Sequence, residues 1–216
     1  MEFGPGEPEA GPWQVVRLDT FVRSLSGRVI AVDGRGGSGK TTLAEAIGRA
    51  VPGAVVVHTD DIAWWHSRFG WDDLMIDGVL TPYREGRDVR YQPPAWAPRG
   101  RTGFVEVPAA APLVIVEGVG ASRRELAPLI DVAIWVQCDY VAAKARGIRR
   151  DRAERPDLDE AGALREWEEW EAEEVPFFLD DRPWERADYV IRAEGSAVRD
   201  GEAVELHLGP VGGAAR

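Results

Sequence analysis

Residues 28–44, RVIAVDGRGGSGKTTLA, carry the strongest pattern in this sequence. An apolar run that predicts a buried strand leads into a glycine-rich loop, and a helical pattern follows the loop. The loop matches G-x-x-x-x-G-K-[ST] without a mismatch, and its residues are Gly34, Arg35, Gly36, Gly37, Ser38, Gly39, Lys40 and Thr41. Strand, loop and helix in this order predict a phosphate-binding loop for a nucleoside triphosphate.

The residue types of this loop have a direct physical role in binding phosphate. Glycines allow consecutive backbone N–H groups to point inward at phosphate oxygens, and the following helix adds its positive N-terminus. Lys40 would neutralise charge on the β- and γ-phosphates, and the Thr41 hydroxyl would ligate Mg²⁺. We include Thr42 among the nucleotide-binding residues, and we expect ATP and Mg²⁺ as cofactors.

Composition narrows the class of protein. The chain has 216 residues, enough for one domain, and a net charge of −11, which argues against nucleic-acid and anionic-membrane partners. Its single cysteine, Cys138, excludes a disulfide framework. The most apolar stretch, residues 107–116, is too short to span a bilayer, and the N-terminus lacks a secretion-signal pattern. We therefore expect a cytoplasmic protein; the sequence leaves the formation of homo-oligomers open.

Strand and helix patterns alternate along the chain. Continuously apolar runs predict five buried strands at residues 28–33, 54–58, 113–117, 132–137 and 189–192. Helical patterns follow at residues 40–51, 139–155 and 157–174, and a capping box at Ser122–Glu125 predicts one more short helix. This order predicts an α/β three-layer sandwich of the P-loop NTPase fold, with a mainly parallel five-stranded sheet.

Domain organisation follows from the same patterns. Residues 1–12 and 209–216 are rich in glycine, proline and alanine, and we expect both to be flexible tails. Residues 13–208 would form a single kinase-sized domain. Within it, residues 64–103 predict a partly irregular insertion that binds the second substrate, and residues 144–156 an arginine-rich lid. Residues 204–208 predict an added strand at the edge of the sheet.

Acidic residues follow two of the predicted strands. A GTPase would carry an N-K-x-D motif, which the sequence lacks. A small kinase needs a carboxylate near the acceptor hydroxyl and another near Mg²⁺. Asp60 is our candidate base, although Asp60 or Asp61 could instead cap the next helix. Glu117 is the candidate carboxylate near the metal; the alternative is an ordinary residue in a turn at the end of the strand.

The predicted lid reverses the charge of the rest of the chain. Residues 144–155 contain six basic and two acidic residues in a protein of net charge −11. Arginines over a transferring phosphoryl group stabilise its charge, and our candidates are Arg146, Arg150 and Arg155, with Arg150 catalytic. The alternative is that these arginines only pair with the acidic helix at residues 157–174.

At this point the sequence resembles the uridine kinase-like branch of P-loop kinases, which includes pantothenate, nicotinamide riboside and phosphoribulose kinases. The resemblance covers residues 28–191 and rests on VDGRGGSGKTTLA, TDDIAW, VIVEGVG, RGIRRDRAER and VPFFLDDRPWERADYVI. It implies Asp60 as the base, Glu117 near the metal, and Arg150 with Arg155 in the lid.

Aromatic and polar residues crowd the predicted insertion. They suit a flat, hydroxylated acceptor such as a nucleoside, and our candidate substrate contacts are Asp61, Trp65, Asp72, Arg90 and Tyr91. We interpret Trp167 and Trp170, three apart on the acidic helix, as packing residues. Two alternatives to a nucleoside kinase stay open. One is a kinase for a vitamin precursor, a sugar phosphate or an antibiotic, and the other is a non-catalytic NTP-binding regulatory module.

Overall fold

The computed structural model describes residues 1–192 and 203–209. Its strands are β1 (Gln14–Arg17), β2 (Val29–Gly34), β3 (Val55–His58), β4 (Val89–Tyr91), β5 (Val105–Val107), β6 (Val114–Glu117), β7 (Val132–Val136), β8 (Tyr189–Arg192) and β9 (Ala203–Leu208). Its α-helices are α1 (Leu18–Ser24), α2 (Lys40–Ala50), α3 (Thr59–Ala63), α4 (Asp72–Met75), α5 (Thr81–Arg84), α6 (Tyr140–Glu154) and α7 (Glu160–Asp181). No helix in these ranges is both long and apolar enough to cross a membrane.

The main sheet has seven strands in the order β1-β9-β8-β7-β2-β6-β3. The five predicted strands are all present, and they pair in parallel as β8, β7, β2, β6 and β3. The predicted count of five is wrong because β9 and β1 extend the sheet with antiparallel pairing. The strand predicted at residues 204–208 forms as β9. It is not the edge strand, because β1 pairs with its outer side.

Helices and apolar segments cover both faces of the sheet, as the predicted three-layer arrangement requires. Successive residues of a strand point to opposite faces. Ile30 and Val32 pack in the same cluster as Leu43 of α2. Val29 and Ala31 belong to a second cluster on the other face, which also contains the residues of the insertion Trp71, Met75, Val79, Leu80 and Tyr83. The apolar residues of the insertion, aliphatic as well as aromatic, therefore build much of one layer.

The strand order brings three chain segments together at one edge of the sheet. In the parallel register, Val32 of β2 and His58 of β3 both lie beside Glu117 of β6. The segments that follow these strands therefore leave the sheet side by side, at the carboxyl ends where ligands bind in open α/β sheets. These segments are the glycine-rich loop, the start of α3 and the turn after β6.

The N-terminal segment packs against the domain, contrary to the prediction of a flexible tail at residues 1–12. Glu7 and Ala10 are buried. One carboxylate oxygen of Glu7 accepts hydrogen bonds from the Trp135 indole at 2.7 Å and the Gln137 amide at 3.0 Å. The segment orders because it satisfies buried polar groups of distant residues. The other predicted tail, residues 209–216, lies outside the described residues except for Gly209.

Asp33, the residue before the glycine-rich loop, is fully buried and joins two strand ends. Its carboxylate accepts hydrogen bonds from the backbone of Gly34, Gly120 and Ser122, at 2.7 to 2.9 Å. The Ser122 hydroxyl also donates to it at 2.9 Å. The helix predicted from a capping box at Ser122 is therefore absent, since this hydroxyl bonds to Asp33, and only a short 3₁₀ turn, Ala127–Leu129, follows.

Burial raises the pKa of Asp33 to about 6, although its hydrogen bonds act in the opposite direction. The folded chain therefore binds a proton that the unfolded chain, with its carboxyl near pKa 3.8, has released. The contribution of Asp33 to stability is fully present below about pH 4 and is lost as the pH rises to about 6.

We predict that Asp33→Asn removes this pH dependence. Denaturant unfolding of both proteins, from about pH 4 to about pH 7, gives the difference in unfolding free energy, wild type minus variant. That difference should fall by up to about 3 kcal/mol between about pH 4 and about pH 6 and then level off. Two parallel pH profiles would contradict the assignment.

Candidate active site

The glycine-rich loop, residues 34–41, curves between β2 and α2 in a shape that requires glycine at two positions. Gly37 and Gly39 have φ values of +73° and +96°, in the left-handed region. A Cβ on Gly37 would lie 2.2 Å from the carbonyl oxygen of Ala143, so the loop passes directly beneath α6. The hydroxyl of Ser38 is buried in the loop without a hydrogen-bond partner. This cradle suits the oxygens of a bound phosphate chain.

Glu117, at the end of β6, lies beside the first turn of α2. One of its carboxylate oxygens accepts the Thr41 hydroxyl at 3.0 Å, and the other lies 2.6 Å from Nδ1 of His58. Burial alone would raise the pKa of Glu117, but the hydrogen bond from His58, the charge of Lys40 and the Thr41 hydroxyl lower it overall. The carboxyl is therefore ionised at neutral pH.

His58 is a site residue that our sequence reasoning missed. The hydrogen bond to Glu117 is the main cause that raises its pKa. The available signal was its place as the last residue of the strand AVVVH, two residues before Asp60.

Thr41 and Glu117 fit a magnesium ion. The Thr41 hydroxyl and a carboxylate oxygen of Glu117 are 3.0 Å apart, and hard oxygen ligands of this kind are those that Mg²⁺ prefers. No group of three or more His, Cys, Asp or Glu residues in the described part of the chain could hold a metal by itself. A magnesium ion here would therefore also need substrate phosphates and water as ligands, as is usual for this ion.

Three neighbouring clefts meet at Asp60, in the first turn of α3. The central cleft, about 500 Å³, is lined among others by Gly36, Lys40, Asp60, Arg150, Trp167 and Trp170. The loop cleft, also about 500 Å³, is lined among others by Gly37, Lys40, Thr41, Thr42, Arg146 and Arg150. The aromatic cleft, about 520 Å³, is lined among others by Thr59, Trp64, Trp65, Arg68, Trp71 and Trp170. Asp60 is common to all three.

The two adjacent aspartates have different surroundings. Asp60 lies where the three clefts meet. The carboxylate of Asp61 forms a short ion pair with Arg101 and lines a separate cleft with His58 and Trp96. The structure thus separates a carboxylate that faces the glycine-rich loop from one that fastens the insertion.

The arginines of α6 divide between the glycine-rich loop and the acidic helix α7. Arg146 donates to the carbonyl oxygen of Gly37 at 3.0 Å, and Arg150 lines both the central and the loop cleft. Arg155 pairs with Glu166 of α7, a residue that lines the central cleft. Different arginines therefore lie at the two places that the sequence analysis considered, the loop and α7, and a role over a transferring phosphoryl group stays a prediction. Asp139 caps α6, accepting from the backbone N–H of Ala142 at 2.9 Å.

The side chain of Arg35, one of our predicted nucleotide-binding residues, does not line the loop cleft. The guanidinium is buried between two carboxylates, 3.3 Å from Glu7 and 3.7 Å from Glu174. It points the other way because the N-terminal segment and α7 bring these acids to that side of the loop. The Arg35 carbonyl oxygen does face the site, 3.5 Å from Nζ of Lys40.

Of the five predicted substrate contacts, the structure brings Trp65 to the aromatic cleft. Trp65 is 64% exposed and has a φ of +56°, which is unusual for a bulky residue and marks local strain. Asp72 instead lies 3.4 Å from Arg123. Arg90 and Tyr91 line a different cleft, about 320 Å³ in volume.

Trp170 lines both the central and the aromatic cleft. Our interpretation of it as a packing residue is therefore incomplete. Its ring does pack against Phe69, with centroids 5.4 Å apart.

Two of the solved structures that resemble this fold carry names that describe kinases. One is a protein provisionally named a fructose transport system kinase, from Silicibacter sp. TM1040, with 19% identity and a TM-score of 0.53, covering 69% of this chain and 87% of that one. The other is a possible uridine kinase from Bacillus stearothermophilus, with 18% identity and a TM-score of 0.53, covering 81% and 96%. No protein-family model and no curated protein sequence matches the chain. At this level of identity, the likeness shows a shared α/β fold.

Close packing of α6 on α7 gives a stability prediction. A Cβ on Gly147 of α6 would lie 1.9 Å from the ring of Trp167. We expect Gly147→Ala to force the two helices apart and to lower the unfolding free energy by about 1–3 kcal/mol.

The matched control is Gly48→Ala in α2, where a Cβ would meet its nearest neighbour at 3.4 Å. This variant should be neutral, or more stable by up to about 1 kcal/mol, because alanine favours the helix. Thermal and urea unfolding measure both variants. Equal effects of the two substitutions would contradict the predicted contact.

Proposed function

We propose that the chain is an ATP- and Mg²⁺-dependent kinase of the uridine kinase-like branch, which transfers the γ-phosphoryl group to a hydroxyl of a small metabolite. The observation that carries this proposal is the meeting of three clefts at Asp60, between the glycine-rich loop and an aromatic cavity. The names of the two proteins with a similar fold, which describe both as kinases, support it.

The donor would bind along the loop cleft. Backbone amides of the loop face its phosphates, and the cations of Lys40, Arg146 and Arg150 surround the same space. Thr41 and Glu117 would hold Mg²⁺, which would supply charge neutralisation on the phosphates. The hydrogen bond from His58 keeps the Glu117 carboxylate oriented toward Thr41.

The acceptor hydroxyl would lie next to Asp60 in the proposed reaction. Its oxygen attacks the γ-phosphorus of ATP, the bond from that phosphorus to the leaving oxygen of ADP breaks, and the hydroxyl proton passes to the Asp60 carboxylate. Lys40 and Arg150, on the walls of the central cleft, stabilise the charge on the transferring group.

The lining of the aromatic cleft favours a planar acceptor without a phosphate of its own. Indoles of Trp64, Trp65 and Trp170 provide faces for stacking. The guanidinium of Arg68 already donates to the Glu173 carboxylate at 2.7 Å and to the Glu169 carbonyl at 2.9 Å. A nucleoside fits this lining best. Vitamin precursors and antibiotics with a planar group are the second candidates. A sugar phosphate is less favoured, because Arg68 in the lining of this cleft is already paired with Glu173.

The first test follows ADP release from ATP and Mg²⁺ over a panel of nucleosides and other hydroxylated metabolites, with Lys40→Ala as the blank. We expect release that depends on a nucleoside and is absent from the blank. A panel without any such acceptor, with ATP binding intact, would favour the regulatory NTP-binding module instead.

The second prediction concerns the base. Asp60→Asn should bind ATP as the wild type does but lose about 10²- to 10⁴-fold in transfer rate, because the amide cannot accept the proton. Asp73→Asn, the same change at an exposed position of the insertion, is the matched control and should retain full activity. Full activity in the Asp60 variant would remove Asp60 from the mechanism.

The third prediction concerns the acceptor. Trp65→Ala removes an exposed wall of the aromatic cleft, so we expect it to raise the KM for the acceptor about tenfold or more, as stacking energies imply. The KM for ATP should not change, since Trp65 does not line the loop cleft. If Trp65→Ala raised the KM for ATP alone, the acceptor would have to bind at a place other than the aromatic cleft.

A further inference from the structure

Glu174 of α7 is a charged residue with 1% exposure that belongs to none of the expected site elements. One of its carboxylate oxygens accepts two hydrogen bonds, from the backbone N–H of Gly36 at 2.8 Å and from the Trp170 indole at 3.1 Å. The other oxygen lies 3.7 Å from a guanidinium nitrogen of Arg35. A carboxylate buried so deeply needs these partners to offset its lost hydration.

Gly36 lies within the glycine-rich loop, so its bond to Glu174 acts on the shape of the loop. A Cβ on Gly36 would lie 3.2 Å from the Trp167 ring and 3.4 Å from the Trp170 indole nitrogen, which shows how closely α7 approaches the loop there. The N–H of Gly36 is committed to the Glu174 carboxylate, which fixes this residue of the loop on the side of α7.

Arg35 anchors the same part of the loop on its other side. Its guanidinium pairs with Glu7 and Glu174 and stacks over the Phe178 ring, with 4.9 Å to the ring centroid. Its carbonyl oxygen accepts the Ser38 N–H at 3.1 Å and faces the Lys40 ammonium. The positive charge of Arg35, shared between Glu7 and Glu174, offsets part of the negative charge that Glu174 places near a phosphate site.

Trp170 connects this anchor to the acceptor side. Its indole N–H donates to Glu174, and the same ring forms a wall of the central and aromatic clefts. One carboxylate thus contacts both the backbone of the phosphate-binding loop and a side chain that an acceptor would touch.

We propose that Glu174 is a positioning residue, which holds the glycine-rich loop in its nucleotide-binding shape through Gly36 and is itself oriented by Trp170. This inference rests on the proposed function, since it assumes that the loop binds ATP. The inference adds a contact between the loop and α7 to the proposed function. The residue that makes this contact neither faces phosphate nor accepts the proton.

Nucleotide binding tests the proposal without any knowledge of the acceptor. Calorimetry measures the affinity for ATP with Mg²⁺ in the wild type, Glu174→Ala and Glu174→Gln. The alanine variant leaves the Gly36 N–H unpaired, and we expect at least about tenfold weaker binding. The glutamine variant keeps an oxygen that accepts both donors, while Arg35 keeps Glu7, so its affinity should return to within about threefold of the wild type.

The matched control is Glu168→Gln, an exposed position on the same helix, which should bind ATP as the wild type does. A role limited to stability would lower the melting temperature of the alanine variant and leave its affinity unchanged while it is folded. Wild-type affinity in folded Glu174→Ala would therefore overturn the proposal.

A second measurement decides the matter where Glu174→Ala does not fold. Hydrogen exchange followed by NMR should show a protected Gly36 amide in the wild type and faster exchange in Trp170→Phe, which keeps a ring but loses the N–H. Exposed Gly103 serves as the reference. Exchange of Gly36 at the rate of Gly103, or no change in the tryptophan variant, would overturn the proposal.

The two hypotheses fail in different ways. If the wild type does not bind ATP, the proposed function fails, while protection of Gly36 and its loss in Trp170→Phe still report on the contact. If the wild type binds ATP and folded Glu174→Ala binds it equally well, only the positioning role fails.

Discussion

Two buried carboxylates hold the glycine-rich loop from different directions, and the candidate site depends on this constraint. Asp33 accepts backbone hydrogen bonds at the start of the loop and ties it to the turn after β6. Glu174 accepts the N–H of Gly36 from the side of α7. A segment with this many glycines loses much conformational freedom on folding. Its shape therefore depends on bonds from elements that are distant in the sequence.

The distribution of charge follows from the same arrangement. The chain carries a net charge of −11, yet Lys40, Arg146 and Arg150 surround the loop cleft. Acidic residues near the loop are mostly committed: Glu174 and Glu7 face Arg35, and Glu117 is held by Thr41 and His58. Glu7 and Glu174 share the single guanidinium of Arg35. The loop cleft itself is lined by three cations and by two carboxylates, Asp60 and Glu154, so cationic side chains are in excess there within an otherwise acidic protein.

Much of the fold could be predicted from the sequence, because the patterns that predict its strands and its glycine-rich loop lie within short stretches of neighbouring residues. The five parallel strands are continuous apolar runs, and the loop between β2 and α2 has a specific residue pattern. Strand β1 has no such signal, since most of its side chains are exposed and it forms only by pairing with β9. The packing of Glu7 likewise depends on Trp135 and Gln137, far along the chain. Neither could be predicted from neighbouring residues.

The candidate site likewise has features that the sequence specifies and features that only the folded structure decides. A motif of adjacent residues is enough to specify the loop, Lys40 and Thr41, because backbone conformation there follows from glycine and helix chemistry. Sequence alone could not say which of Asp60 and Asp61 faces the loop, that Arg35 turns away from it, or that Trp170 forms a wall of two clefts. Those outcomes depend on side-chain partners from other elements: Arg101 for Asp61, Glu7 for Arg35, and Glu174 for Trp170. Local pattern specifies the backbone at the site, whereas the direction of each side chain depends on which distant charge or ring the folded chain brings beside it.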